Sequence, residues 1–229
     1  MDRYIFHFKK DNSFPAIFIF SLRSGGDMRI RKNLDYFIKK IKPSPKRIVS
    51  GQQIHDSRIG LVKKESPSLF FGCDALITKE KRVALTVFTA DCLPIFLYDF
   101  KNQVLGLIHA GWRSTKNKIV AETLKLMQSS FASRPANLYV AFGPAIRDCC
   151  YKVGREFRNF FPQRYIIKRK NRLYFDLVGI NQDELINYGV KRAHFLDCLL
   201  CTSCNNDILF SYRKEGSQSG RIVSLGMLI

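Results

Sequence analysis

Three apolar segments crowded into the middle of the chain constrain its fold more than any other feature. Residues 83–88, 95–98 and 104–108 are rich in β-branched and aromatic side chains, and polar or turn residues bound each of them. Such runs read as strands. They are far too short to span a bilayer. Pro94 cannot donate to a sheet ladder, so the chain is expected to turn or break there, which puts Cys92 at a strand end. Gly111 permits a tight backbone path just beyond His109. Cys92 and His109 lie 17 residues apart. Two adjacent strands joined by a turn would bring both to the same end of one sheet.

The flanking sequence supplies the other layers. Residues 14–22 read as a buried strand. Residues 32–41 read as a helix with Leu34, Phe37, Ile38 and Ile41 on one face. Ser114 or Thr115 can cap a helix over residues 116–128, which would bury Val120, Leu124 and Met127. Residues 138–142 and 221–229 read as strands, and residues 153–161 and 176–188 as helices. The clusters at 43–45 and 66–68 read as loops. The mixture predicts an α+β fold with a mixed β-sheet core and peripheral helices. No internal repeat divides the chain, and its length suits a single domain over residues 1–229. Such a chain can bury its core without a structural metal, so a metal here reads as functional.

The net charge is +19, from 38 Lys and Arg against 19 Asp and Glu. The basic residues come in scattered short groups, such as Lys39-Lys40 and Lys63-Lys64, without an aromatic-interleaved recognition motif. No specific nucleic-acid partner is expected, and weak salt-sensitive binding would reflect charge alone. Attraction of small anionic substrates fits the same surplus. Seven cysteines, an odd number, and an N-terminus without a signal-peptide pattern point to reduced thiols in a cytoplasm. No membrane partner is expected.

The chemistry-bearing residues sit at the strand ends. His55, Cys92 and His109 form a borderline-soft donor set suited to zinc. Three protein ligands leave a fourth position open for water or substrate, as catalytic zinc requires. Asp91 is a candidate for bracing the ligands or carrying a proton. Arg113 offers a planar donor fork for phosphate or carboxylate. The same residues support a metal-free alternative, with Cys92 as a thiolate nucleophile and His109 as its base, suited to acyl transfer or amide hydrolysis. Cys201-x-x-Cys204, with Cys198 just before it, lacks a matching CxxC, so no structural metal is expected there. Cys149-Cys150 read as buried or near-site thiols. Trp112 reads as a packing residue, and His7 and His194 as structural residues in apolar surroundings.

At these residues the chain resembles the laccase-domain family of polyphenol oxidases, also described as multifunctional purine nucleoside phosphorylases and peptidoglycan editing factor-like proteins. The match includes Ser21-Leu22-Arg23-Ser24-Gly25-Gly26, Gln53-Ile54-His55 and Asp74-Ala75-Leu76-Ile77-Thr78. It continues through Thr89-Ala90-Asp91-Cys92-Leu93-Pro94, His109-Ala110-Gly111-Trp112-Arg113 and Cys149-Cys150-Tyr151-Lys152-Val153-Gly154. Gly143-Pro144-Ala145-Ile146 precedes the last of these, and the match ends with Asp176-Leu177, Cys201-Thr202-Ser203-Cys204, and Phe210-Ser211-Tyr212-Arg213 through Gly220-Arg221. The resemblance implies zinc on His55, Cys92 and His109, with copper as the competing metal. It implies phosphorolysis of adenosine, inosine and methylthioadenosine, with deamination of adenosine, and an αββα-like fold shared with cysteine-hydrolase toxins.

On this basis Cys92, His109 and Asp91 are the expected catalytic residues. Arg113 and Arg23 are expected to bind phosphate by charge-assisted hydrogen bonds. The partners are then a nucleoside and phosphate, and the chain a monomer or weak homodimer. The rival expectations are a cysteine- or metal-dependent hydrolase editing peptidoglycan precursors, and a copper-dependent polyphenol oxidase. Three departures from the family pattern bear on the site: Asp56 stands where Gly is usual, Ala145 stands where Cys is usual, and the stretch between Gly26 and Asn33 is short where a longer loop helps to cover the pocket.

Overall fold

Each of the three central apolar segments becomes a seven-residue strand buried along nearly its whole length. A continuous apolar run of this kind needs cover on both faces, and the rest of the chain provides it. The structure, a computed structural model, describes residues 5–8 and 15–229. In chain order the strands are β1 (Ile5–Phe8), β2 (Ala16–Ser21), β3 (Arg47–Gly51), β4 (Ile59–Val62), β5 (Leu69–Phe70), β6 (Ala75–Thr78), β7 (Val83–Thr89) and β8 (Leu93–Asp99). They continue with β9 (Val104–Ala110), β10 (Leu138–Phe142), β11 (Lys152–Val153), β12 (Ile166–Arg169), β13 (Arg172–Phe175), β14 (Phe195–Asp197) and β15 (Ile222–Leu228). The α-helices are α1 (Arg31–Lys39), α2 (Trp112–Lys116), α3 (Ile119–Phe131), α4 (Phe157–Phe160), α5 (Leu177–Asn187) and α6 (Tyr212–Glu215).

Two six-stranded sheets run β1-β2-β15-β7-β3-β5 and β14-β10-β8-β9-β6-β4, and β11-β13-β12 form a small third. Both large sheets are mixed: β3 is parallel to β7 and β4 to β6, whereas β15 and β9 are antiparallel to their neighbours. The large sheets pack face to face. Phe18, Leu85 and Val87 of the first meet Phe96, Tyr98, Leu105 and Leu107 of the second in one buried cluster. Residues alternate along a strand between its two faces, so Ile95 and Leu97 point the other way. There Val120, Leu124 and Met127 of α3 and Ile180 of α5 cover them. On the outer face of the first sheet, Leu34, Phe37 and Ile38 of α1 lie over Ile19, Ala84, Val223 and Leu225. The layers are helix, sheet, sheet, helix, which is the α+β, αββα-like architecture expected. Each large apolar side chain so buried contributes about 1.5–3 kcal/mol.

Several local expectations need correction. Residues 153–161 do not form one helix. Val153 pairs with Leu173 in the small sheet, and only α4 is helical. The phenylalanines there pack as an aromatic cluster, with Phe157 against Trp112, Phe161 and Phe175, and this packing overrides the helical spacing. The helix expected from Lys116 begins earlier and in two pieces. The Gly111 N–H donates to Ser114 Oγ (2.8 Å) at the start of α2, and left-handed Lys118 (φ 63°) separates α2 from α3. Pro94 does not break the sheet, since it is the second residue of β8, where a missing donor is tolerated. The turn falls before it, at Asp91 (φ 92°). The strand expected over 14–22 appears as β2, and Phe14 lies outside the described residues. Among the described residues no helix is long and apolar enough to cross a membrane.

Candidate active site

Residues 90–92 carry the chain from β7 in the first large sheet to β8 in the second. Asp91 takes a left-handed conformation there, a strained choice for a non-glycine residue that surrounding structure must enforce. β8 and β9 form an antiparallel pair in which Pro94 faces His109. Cys92 and His109 therefore do meet at one end of the sheet. His55 arrives from the loop after β3, also with positive φ (61°).

Asp74, just before β6, holds the two histidines in register. It is 1% exposed. Its carboxylate accepts the backbone N–H groups of Ile54 (3.0 Å), His55 (2.9 Å) and Asp56 (3.0 Å). It also accepts from His109 Nδ1 (2.7 Å). Burial opposes its charge, but these partners hold its carboxyl below the usual range. With Nδ1–H committed to Asp74, His109 keeps Nε2 as its donor atom.

The ligand atoms of His55, Cys92 and His109 all lie within 4.8 Å of one another. The two imidazole rings meet nearly edge to face, 4.8 Å between centroids. Gly111 makes room for them: a Cβ there would stand 3.1 Å from Cys92 Sγ and 3.2 Å from His55 Cδ2. His109 is buried, Cys92 half-buried and His55 exposed, so the cage opens to solvent on one side. Burial raises the Cys92 thiol, but the adjacent His109 charge and hydrogen bonds from both histidines pull it down to about 6. Burial likewise lowers His109, but Cys92 and Asp74 hold it up at about 9. Without metal the pair is a thiolate beside an imidazolium. The donor set, its orienting carboxylate and its open side fit a divalent ion of the zinc class.

A cavity of about 650 Å³ opens over this cage. Arg113 lines it as expected, its guanidinium 4.5 Å from the Trp112 ring centroid. Arg23 does not line it. Its Nη2 pairs with Glu215 Oε1 (2.6 Å), and its guanidinium lies over Phe210. Burial opposes the Glu215 charge, yet Arg23 and the other donors around it hold that carboxyl at about 2. Arg29, Arg213 and Arg221 line the cavity instead, with Phe88, Tyr151 and Tyr212. Asp91 also lines it, with its carboxylate engaged by Thr202 Oγ1 (2.6 Å), Ser211 Oγ (2.7 Å) and the Arg213 backbone N–H (2.6 Å).

Sequence reasoning assigned no role to Asp74, Tyr151, Arg29, Arg213 or Arg221. Asp74, Tyr151, Arg213 and Arg221 lay inside the matched motifs, which was the available signal; Arg29 did not. Asp56 turns to Asn117 (2.9 Å) rather than lining the cavity. Trp112 stacks on Phe160, as a packing residue should. His194 Nδ1 meets the Leu138 carbonyl (3.1 Å), and His7 is exposed. Cys201 and Cys204 do find a partner pair, Cys149 and Cys150, which corrects the expectation that they stand alone.

Fold and cage together define an α+β sandwich protein with a histidine–cysteine–histidine site where its two sheets join. The chain belongs to the family described as multi-copper polyphenol oxidoreductase laccase, which matches residues 21–229. It is 30% identical to a purine nucleoside phosphorylase of Clostridium acetobutylicum, over 98% of this chain and 96% of that one. It is 34% identical to a purine nucleoside phosphorylase of Aquifex aeolicus, over 77% of this chain and 81% of that one. The crystal structure of YlmD from Geobacillus stearothermophilus superposes with a TM-score of 0.86 at 26% identity, covering 94% of this chain and 92% of that one. Family and relatives alike support an enzyme acting on small molecules.

Proposed function

We propose that residues 1–229 act as one domain, a zinc-dependent purine nucleoside phosphorylase with an adenosine deaminase side activity. One observation carries this reading: three side chains able to hold a metal converge in the lining of a cavity that four arginines and three further aromatic rings also line. Its volume falls within the usual range for small-molecule sites. The relatives named purine nucleoside phosphorylase support the substrate class.

Zinc held by His55, Cys92 and His109 would supply Lewis acidity and a bound water of lowered pKa. Asp74 fixes His109 in the tautomer that presents Nε2 to the cage. Arg113 and Arg213 offer donor forks for phosphate, and Tyr151 and Phe88 offer apolar faces for a purine. Asp91 fastens the Arg213 segment to the rim. In phosphorolysis a phosphate oxygen bonds to the sugar C1′ as the bond to the purine nitrogen breaks. In deamination a water oxygen adds at C6 and ammonia leaves. Zinc-loaded protein incubated with adenosine and phosphate should release adenine, ribose 1-phosphate and some inosine. Neither free base nor inosine in that mixture would reject the proposal.

A second reading draws on the lowered Cys92 thiol, which suits a nucleophile with His109 as its proton acceptor. It makes the chain a cysteine-dependent hydrolase of a peptidoglycan precursor. Activity that survives complete metal removal but disappears in Cys92→Ser would favour it. The donors do not fit several copper centres. The chain has four histidines, and His7 and His194 lie outside the cavity lining. Copper's greater intrinsic affinity makes it a competitor for the single cage. An odd number of cysteines, seven, suits reduced thiols and so action in a reducing cytoplasm.

A further inference from the structure

Away from the cavity cage, two loops bring four thiols together. Cys149 and Cys150 lie in the turn before β11, and Cys201 and Cys204 in the loop after β14. Cys204 Sγ stands 3.6 Å from Cys149 Sγ and 3.3 Å from Cys150 Sγ. All four sulfur atoms lie within 4.8 Å of one another. We infer that Cys149, Cys150, Cys201 and Cys204 form a second metal site, a closed tetrathiolate cage for a zinc ion.

The spacing decides among the occupants. Zinc–sulfur bonds of about 2.3 Å in a tetrahedron set neighbouring sulfurs roughly 3.8 Å apart, close to the separations found. An iron–sulfur cluster distributes its thiolates over separate iron atoms and needs a wider cage. A disulfide would join one pair and leave two thiols beside it, whereas here Cys204 faces both Cys149 and Cys150. Thiolates select soft or borderline ions over calcium and magnesium. Four protein ligands leave no open position, so this ion would be structural.

The backbone holds both loops in place. Ala145 and Cys201 form an isolated bridge, and Thr202 N donates to the Ala145 carbonyl (3.1 Å). Cys150 N donates to the Arg147 carbonyl (2.9 Å), and Asn205 N to the Cys201 carbonyl (3.0 Å). The ion would therefore join a cage already assembled. Binding takes up one Zn²⁺ and releases the thiol protons to solvent. The two loops also meet at Asp91: Ile146 N donates to its carbonyl (2.9 Å) and Thr202 Oγ1 to its carboxylate. A zinc ion here would brace the segments that shape the cavity rim, including Tyr151.

Zinc per chain settles the matter, counted after loading under a thiol reductant and desalting. Wild-type protein should hold two ions. Cys149→Ser/Cys204→Ser should hold one, kept at the cavity cage, and His55→Ala/His109→Ala should hold one, kept by the four thiols. Cobalt in the latter variant should give the intense sulfur-to-metal absorption of tetrahedral thiolate coordination. Wild-type protein holding no more zinc than Cys149→Ser/Cys204→Ser overturns the inference. So does mass-spectrometric detection of Cys204 in a disulfide in zinc-loaded protein. If the serine variant does not fold, the cobalt spectrum of His55→Ala/His109→Ala decides, and its absence overturns the site. The two histidine substitutions separate this result from any failure at the cavity cage.

Discussion

Asp74 links four N–H groups from two segments, so one carboxylate sets both the His55 loop and the His109 ring. Asp74→Asn keeps the size but replaces one acceptor oxygen with a donor NH₂ facing those groups. Partners that orient metal-ligating histidines typically control affinity by about 10–100-fold. Zinc affinity measured by chelator competition should therefore fall by about that factor; unchanged affinity would show that Asp74 does not orient the cage. The charge state of Cys92 gives an independent handle. In metal-free protein its thiol is held down at about 6 by the neighbouring imidazolium. The alkylation rate with iodoacetamide should rise through pH 6 and level off well below the pH at which a free thiol ionises. In His109→Ala the positive neighbour is gone, so the midpoint should move to higher pH. A midpoint left where it was would disconnect His109 from the thiolate, and zinc should protect Cys92 from the reagent throughout.

At the scale of elements, α5 shows how a short polar contact aligns a layer. Asp176 Oδ1 accepts from Gly179 N (2.8 Å) at its start, and the next residue, Leu177, lines the cavity. Losing such a cap costs about 0.5–2 kcal/mol. Burial raises the Asp176 carboxyl above its usual range, so charge on it carries a penalty that offsets part of the capping. Asp176→Ala should lower unfolding stability in urea by an amount near the lower end of that range, with zinc content unchanged. Loss of zinc as well would mean that α5 helps to hold the cage. The helix itself was legible over 176–188, and the central strands were legible because apolar runs bounded by turn residues are strong local signals. Strands as short as Lys152–Val153 and Leu69–Phe70 carry no such pattern. In residues 153–161, contacts with Trp112 and Phe175 decided the outcome, and no local rule foresees them. The cage was readable for a related reason: Cys92 and His109 come from neighbouring strands. Arg213 reaches Asp91 across 122 positions, and the Cys149-Cys150 pair meets Cys204 across about 55, distances at which spacing carries no information.

For the whole molecule the surplus of cations becomes a kinetic statement. A net charge of +19 surrounds a cavity lined by Arg29, Arg113, Arg213 and Arg221. Charge of one sign around a concave site concentrates oppositely charged ligands and speeds their encounter. Salt weakens this at long range, because the screening length shrinks from about 10 Å at 0.1 M to about 3 Å at 1 M. Chemistry at the buried end of the cavity, beside His109, is screened much less. If phosphate is the second substrate, its kcat/KM should fall several-fold between those salt concentrations while kcat changes little. Arg113→Ala should lower kcat/KM for phosphate at low salt and reduce the remaining salt dependence. If adenosine is also deaminated, that reaction, whose substrate carries no net charge, should respond weakly to the same salt series and serves as the internal control. Equal sensitivity of both reactions would locate the salt effect in the fold or the cage, and would remove the arginine rim from the account of phosphate capture.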